Sequence, residues 1–177
     1  MVKSLGVTDI SQIGWYTFFP YVSAALGILL ISWNSDRLLE RRWHVAGSLI
    51  IAAIALSSTT LLSSSLWLTL AVMCIVGFFQ FGAGILYWAI PPTYLRKDQA
   101  AVGIALISSL GVIGGFVSPT LLGLIKTYTG SLDNGIYVVA GIMVAGAVVT
   151  LTCLPSRALR VGKAPTTTAM TVGMEAA

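Results

Sequence analysis

The sequence predicts an all-α integral membrane protein, a bundle of five transmembrane helices, on three observations. The 177-residue chain is 56% hydrophobic and only 9% charged, where soluble domains carry about 25% charged residues. Five stretches, 14–33, 43–62, 66–90, 101–125 and 135–154, contain no Asp, Glu, Lys or Arg. Each reaches the roughly 20 apolar residues that a helix needs to cross hydrocarbon. The stretches are apolar on every face rather than alternating with period two, which disfavours a barrel.

The first span, 14–33, is followed by the densest charge in the chain, "SDRLLERRWH", with Asp36, Arg37, Glu40, Arg41, Arg42 and His44. Burying its five formal charges at helix centres would cost roughly 12–18 kcal/mol by simple addition, so the segment belongs in water between spans. With alternate loops on the same side, Arg37, Arg41, Arg42, Arg96, Lys97, Arg157, Arg160 and Lys163 share one face of the membrane, and Lys3 and Lys126 the other. The positive-inside rule then puts the basic face in the cytoplasm, the N-terminus outside and the C-terminus inside, in a cell inner (plasma) membrane. The second and third spans are separated by "SSS", and such short hairpins make consecutive helices antiparallel neighbours. They leave no room for a soluble catalytic domain. The tail, 156–177, has no sustained apolar period and reads as disordered.

Other classes find little support. The net charge of +4 comes without a basic patch interleaved with aromatics, so no nucleic-acid partner is expected. Cys74 and Cys153 sit inside apolar runs and read as small packing residues, without metal-ligand spacing. His44 is the only histidine and has no carboxylate pair or metal-ligand cluster beside it, so neither an enzyme nor a bound metal or cofactor is expected. The opening "MVKSLGVTDISQIG" lacks a cleavable signal pattern, which leaves targeting to the spans.

Within the spans, a few residues carry chemistry or shape. In the first, Pro20 frees a carbonyl and bends the helix, while Tyr16 and Tyr21 offer hydroxyls either to a substrate oxygen or to the bilayer interface. In the third, Gln80, Gly84, Tyr87 or Trp88, and Pro91 recur on one helical face. Gln80 calls for a partner in the bundle interior, either a helix–helix hydrogen bond or a bound solute. Trp88 is a belt aromatic or a cavity wall. In the fourth, Gly103, Gly111, Gly115 and Ser118 open a small-residue groove for a neighbouring backbone, serving close packing alone or also letting helices rock. Pro119 predicts a kink there.

Taken together, "GWYTFFPYVSAALGILLISWNSDRLLERRWH", "YWAIPPTYL" and "GIALISSLGVIGGFVSPTLLG" resemble the second half of major facilitator superfamily transporters over about residues 2–155. The anion:cation symporter family, whose members include permeases for tartrate, phthalate and sugar acids, is the nearest likeness. The resemblance implies that the five spans correspond to the eighth through twelfth of twelve helices, in two halves around a midplane site. "SDRLLERR" is similar to the family's loop motif Gly-x-x-x-Asp-Arg-x-Gly-x-Arg-Arg. Asp36, Arg37, Arg41 and Arg42 match and imply a gating latch, while Ser32 and Leu39 replace its glycines; a solvated topogenic loop is the other reading. Trp88 and Pro91 match the family's Trp-x-x-Pro. "ISSLGVIGGF" resembles Ile-Asn-Ser-x-Gly-Asn-x-Gly-Gly-Phe, with Ser109, Gly111, Gly114, Gly115 and Phe116 matching. Ser108 and Val112 stand in place of the two asparagines, whose NH2 groups suit a carboxylate.

The resemblance therefore implies secondary symport of a small organic anion, a dicarboxylate or sugar acid, with H+ or another cation, by alternating access. Tyr21, Gln80, Tyr87, Trp88, Ser108 and Ser109 are the candidate substrate-binding residues. Pro20, Pro91, Gly111, Gly114, Gly115 and Pro119 are the candidate packing and kink residues. "VKSLG" resembles the loop before the eighth helix, so residues 1–155 are expected to form part of a transporter half whose N-terminal counterpart, with the ionisable coupling groups, lies elsewhere. The chain then reads as a fragment, and transport by it alone is not expected. The competing reading is a small multi-pass membrane interaction or assembly protein, docking through its small-residue grooves.

Overall fold

The computed structural model describes residues 10–38, 40–62, 65–95 and 99–154, excepting the side chains of residues 10–13, 93 and 94. The opening segment, Leu39, Arg96, Lys97 and the tail 156–177 lie outside the described residues. The described chain is helical: α1 (Ile10–Leu38), α2 (Arg41–Leu61), α3 (Leu66–Trp88), α4 (Pro91–Tyr94), α5 (Ala100–Thr129) and α6 (Asp133–Cys153). All but α4 are long and apolar enough to cross a membrane, five in number as expected.

The helix ends show what the uncharged runs alone do not. α1 continues beyond Trp33 to Leu38, carrying Asp36 and Arg37 on its last turn, because a helix satisfies its backbone wherever it goes and charge decides only its depth. The Arg37 guanidinium lies back over the Trp33 ring, 3.9 Å from its centroid, a cation–π contact one turn apart. α3 stops at Trp88 rather than running on to Ile90. Pro91 and Pro92 then open the separate four-residue α4, where a missing N–H does no harm. Pro91 therefore does not continue the helical face of Gln80 and Gly84. Pro20 and Pro119 are both held inside continuous helices.

α3 is the centre of the bundle, with α1 on one side and α2 on the other, and α6 packs on the far side of α2. α1 and α2 scarcely touch. Backbones meet most closely between α1 and α3. There Gly27 lies against the main chain of Phe78, Gly77 against the Pro20 carbonyl, and Gly82 against Gly27 and Ile31. Ser23 Oγ donates to the Cys74 carbonyl across the same seam (2.8 Å), and the Thr60 and Tyr137 hydroxyls pair between α2 and α6 (2.7 Å). Small residues and side-chain hydrogen bonds are the means by which helices associate in lipid. At the charge-rich end, Ile31, Val45, Leu86 and Ile90 form a buried apolar cluster against Leu49, Phe78, Phe79 and Leu154.

α5 differs from the others. None of its residues is buried, and it packs only lightly, on α4 and α6. Gly111, Gly114 and Gly115 face open space, while Gly103 meets Leu95. The packing expected of these α5 glycines finds no partner helix among the described residues; the intimate glycine seam lies between α1 and α3.

Candidate functional site

Two parts of the bundle gather polar chemistry, and the first lies along the α1–α3 side. Near the α1 N-terminal half and the start of α3 is a cavity of about 310 Å³, lined by Tyr16, Pro20 and Tyr21 from α1 and by Met73, Gly77 and Phe81 from α3, among others. Its walls are almost wholly hydrocarbon, with tyrosine and threonine hydroxyls as the polar groups. It suits an uncharged ring or chain and offers nothing to neutralise an anion. The glycine at position 77 matters here: a Cβ would stand 2.9 Å from the Pro20 carbonyl oxygen, so α3 could not lie as close to α1.

Gln80 lies beside Phe81 on the face of α3 that carries Gly84 and Trp88, at intervals of four residues, one helical stripe. These three are exposed, whereas Gly82, Ala83 and Leu86 are buried against α1 and α2. Gln80 stands eight residues from the end of α3, roughly 12 Å at 1.5 Å per residue, well inside a hydrocarbon layer about 30 Å thick. Its amide has no hydrogen-bond partner among the described residues. No interhelical bond of the kind its polarity calls for is made among the described residues. Tyr87 and Trp88 meet edge to face, with centroids 5.7 Å apart, at the end of the same stripe.

The structure does not bring Ser108 and Ser109 to this face. Both sit on α5, and their hydroxyls donate to the Ile104 and Ala105 carbonyls of their own helix (2.8 and 2.9 Å). With that proton committed, each can accept from a ligand but not donate to an anion. The candidates therefore separate into Tyr21 at the cavity, Gln80, Tyr87 and Trp88 along α3, and two serines on a lightly packed helix. Phe81 and Gly77 line the cavity with Tyr21 and were not singled out from sequence. Their positions beside Gln80, and one turn from it, were the available signal.

The second gathering is the charged end. α2 runs antiparallel to its neighbours, so its N-terminus lies beside the C-termini of α3 and α6, where carbonyls lack helical partners. Two arginines at the start of α2 supply the donors. Arg41 Nη1 donates to the Ala89 carbonyl (3.2 Å) and Arg42 Nη2 to the Leu151 carbonyl. Arg41 Nη2 also pairs with Asp36 (3.1 Å), a largely exposed bridge of little worth by itself. Cations at a helix N-terminus oppose its dipole, but here they rest on the negative ends of two adjacent helices. His44 Nδ1 lies 2.7 Å from the Glu40 carbonyl and therefore carries the proton, leaving Nε2 to accept from the Asn34 amide at 3.1 Å. The loop motif thus binds helix ends together through main-chain carbonyls.

Among the described residues, five helices long and apolar enough to cross a membrane define a multi-pass membrane protein. The profile of the Major Facilitator Superfamily matches residues 1–171, and the chain belongs to that family. Among its curated relatives, the "Putative metabolite transport protein NicT" of Pseudomonas putida is 35% identical over 156 residues, 88% of this chain and 36% of the relative. A "Putative tartrate transporter" of Agrobacterium vitis is 36% identical over 151 residues, 85% of this chain and 34% of the relative. The "Quinolone resistance transporter" of Acinetobacter baumannii is 34% identical over 150 residues, again 85% of this chain and 34% of the relative. The chain spans about a third of the length of these relatives. No solved structure matches it. Kinship of this kind places the chain with transporters rather than enzymes.

Proposed function

We propose that this chain supplies one wall of the solute path in a secondary symporter for a small organic anion, a dicarboxylate or sugar acid. The solute moves with H+ or another cation by alternating access. The observation that carries the reading is the Gln80 amide, without a partner among the described residues, on the open stripe of α3 within the membrane. An amide so placed is costly in lipid and well used against a hydroxyl or carboxylate. Trp88, two turns along the same stripe, supplies an aromatic wall, Tyr21 offers its hydroxyl at the neighbouring cavity, and a relative named for tartrate transport agrees with the substrate class. The described spans carry charged residues only in their first or last turns, so the counter-charge for the anion and the coupling group come from outside their interiors. The two thirds of its relatives that the chain does not cover are the natural source.

Grafting the chain in place of the matching third of the Agrobacterium vitis relative tests this. Saturable, gradient-driven tartrate uptake is expected, and Gln80→Ala should weaken its half-saturation three- to tenfold, roughly the worth of one hydrogen bond. Uptake indifferent to Gln80→Ala would remove the residue from the site.

The basic ends carry the proposed orientation, with the N-terminus outside and the C-terminus cytoplasmic. An alkaline phosphatase fused after Lys163 should be inactive, and one fused within the α5–α6 turn at Ser131 active. The reverse pattern would overturn the orientation.

A further inference from the structure

The groove between α1 and α2 has a different character from the cavity described above. Because these two helices lean on α3 while scarcely touching each other, a wedge of about 490 Å³ stays open between them, floored by Phe78 and Phe79. Deep in the wedge the walls are apolar but for the buried Ser48, with Leu30 and Ile31 on one side and Gly47 and Ile51 on the other. At its mouth they become amphipathic: Trp33 and Asn34 face Trp43 and His44, and both tryptophans are more than half exposed.

Above the mouth stands Arg37, its guanidinium over the Trp33 ring. Arg41 is committed to Ala89 and Asp36, and Arg42 to Leu151. Arg37 has no carbonyl or carboxylate among the described residues. The Asn34 amide donates one N–H to His44 and keeps a second. Among the described residues around this mouth, Arg37, Arg41 and Arg42 stand with two carboxylates, Asp36 and Glu40, leaving an excess of one positive charge.

We propose that this groove holds one anionic phospholipid, with its acyl chain along Phe78, Phe79 and Gly47 and its phosphodiester at Arg37 and Asn34. The polarity gradient along the groove follows the membrane normal from headgroup to hydrocarbon, as an amphiphile requires. A single uncommitted guanidinium beside hydrogen-bond donors matches one phosphate charge. A transmembrane helix fits less well, because it would need small residues along both walls, and here Gly47 and Ser48 lie on the α2 wall alone, facing Leu30, Ile31 and Trp33.

Gly47 gives the cleanest perturbation. A Cβ there meets nothing within 4 Å, so a leucine can start into the groove from the existing backbone. The full chain, purified in neutral detergent, is mixed with equimolar phosphatidylglycerol and phosphatidylcholine, and retained lipid is counted by native mass spectrometry. One phosphatidylglycerol per chain is expected in clear preference to phosphatidylcholine. Arg37→Gln should weaken retention about fivefold, the usual worth of one basic residue near an anionic surface. Gly47→Leu should abolish it, and Gly123→Leu, on open α5, should leave it unchanged. Equal retention of the two lipids, or retention surviving Gly47→Leu, would overturn the proposal. Competition by glycerol 3-phosphate as strong as by the intact lipid would also overturn it, since the ligand would then be a free phosphate. Should Gly47→Leu fail to fold, the Arg37→Gln comparison between the two lipids decides.

Discussion

Gly27→Ala is expected to destabilise the bundle by about 3 kcal/mol, at the upper end of what overpacking costs, and to part α1 from α3. The added methyl would land on the carbonyl group of Phe78, a main-chain atom in the middle of α3 that no side-chain rotation can move away. Gly82 lies one step along the same seam, where a Cβ would sit 3.1 Å from the Gly27 carbonyl oxygen, so neither helix can slide to relieve the clash. The same change at Gly111 meets open space and should alter stability by less than about 0.5 kcal/mol. Unfolding in mixed micelles, followed by circular dichroism, reads both. Equal behaviour of the two alanine variants would show that the α1–α3 seam is not the tight one.

The second large effect is expected at Arg42. Arg42→Gln removes a charged donor from the Leu151 carbonyl near the end of α6, a bond of a class worth about 1.5–3 kcal/mol. Arg42 is half-buried, and its Nε has no partner, so the guanidinium is held at some desolvation cost for the sake of that one contact. We expect a loss of about 2 kcal/mol and faster hydrogen exchange in the last turn of α6. Arg37→Gln, which gives up only a stacked and exposed contact, should cost under about 1 kcal/mol. If the two substitutions cost the same, the α2 arginines act as solvated charges and not as ties between helix ends.

Hydrophobicity made the five spans readable from sequence, because a charge is excluded from hydrocarbon wherever the helix packs. The kinship was readable too, since "SDRLLERR", "YWAIP" and "ISSLGVIGGF" hold their residue types and order locally. What was not readable depends on which helix lies beside which. Glycines crowd α5 and mark it as a packing helix by spacing alone, yet the close seam uses Gly27, Gly77 and Gly82, whose partners are fixed only by tertiary pairing. The loop motif read as a gating latch; in the fold Arg41 and Arg42 both reach backbone carbonyls, Arg41 in addition to Asp36, because antiparallel packing sets α2's first turn beside the unsatisfied ends of α3 and α6. Ser109 matched a motif residue and Ser108 stood where the motif has an asparagine, while the protons of both are spent on their own helix. Gln80 and Trp88 share a stripe by simple helical arithmetic, but only the packing shows that this stripe faces away from α1 and α2.

The account stands on that stripe being wetted by a solute path. Single cysteines at Gln80, Trp88 and Val149, in a background where Cys74 and Cys153 are serine, can be exposed to a charged methanethiosulfonate in membranes of cells producing the tartrate graft. The account predicts that positions 80 and 88 react and that tartrate protects both, while Val149 on the outer face of α6 stays unlabelled. Positions 80 and 88 as inert as 149, with or without tartrate, would contradict it.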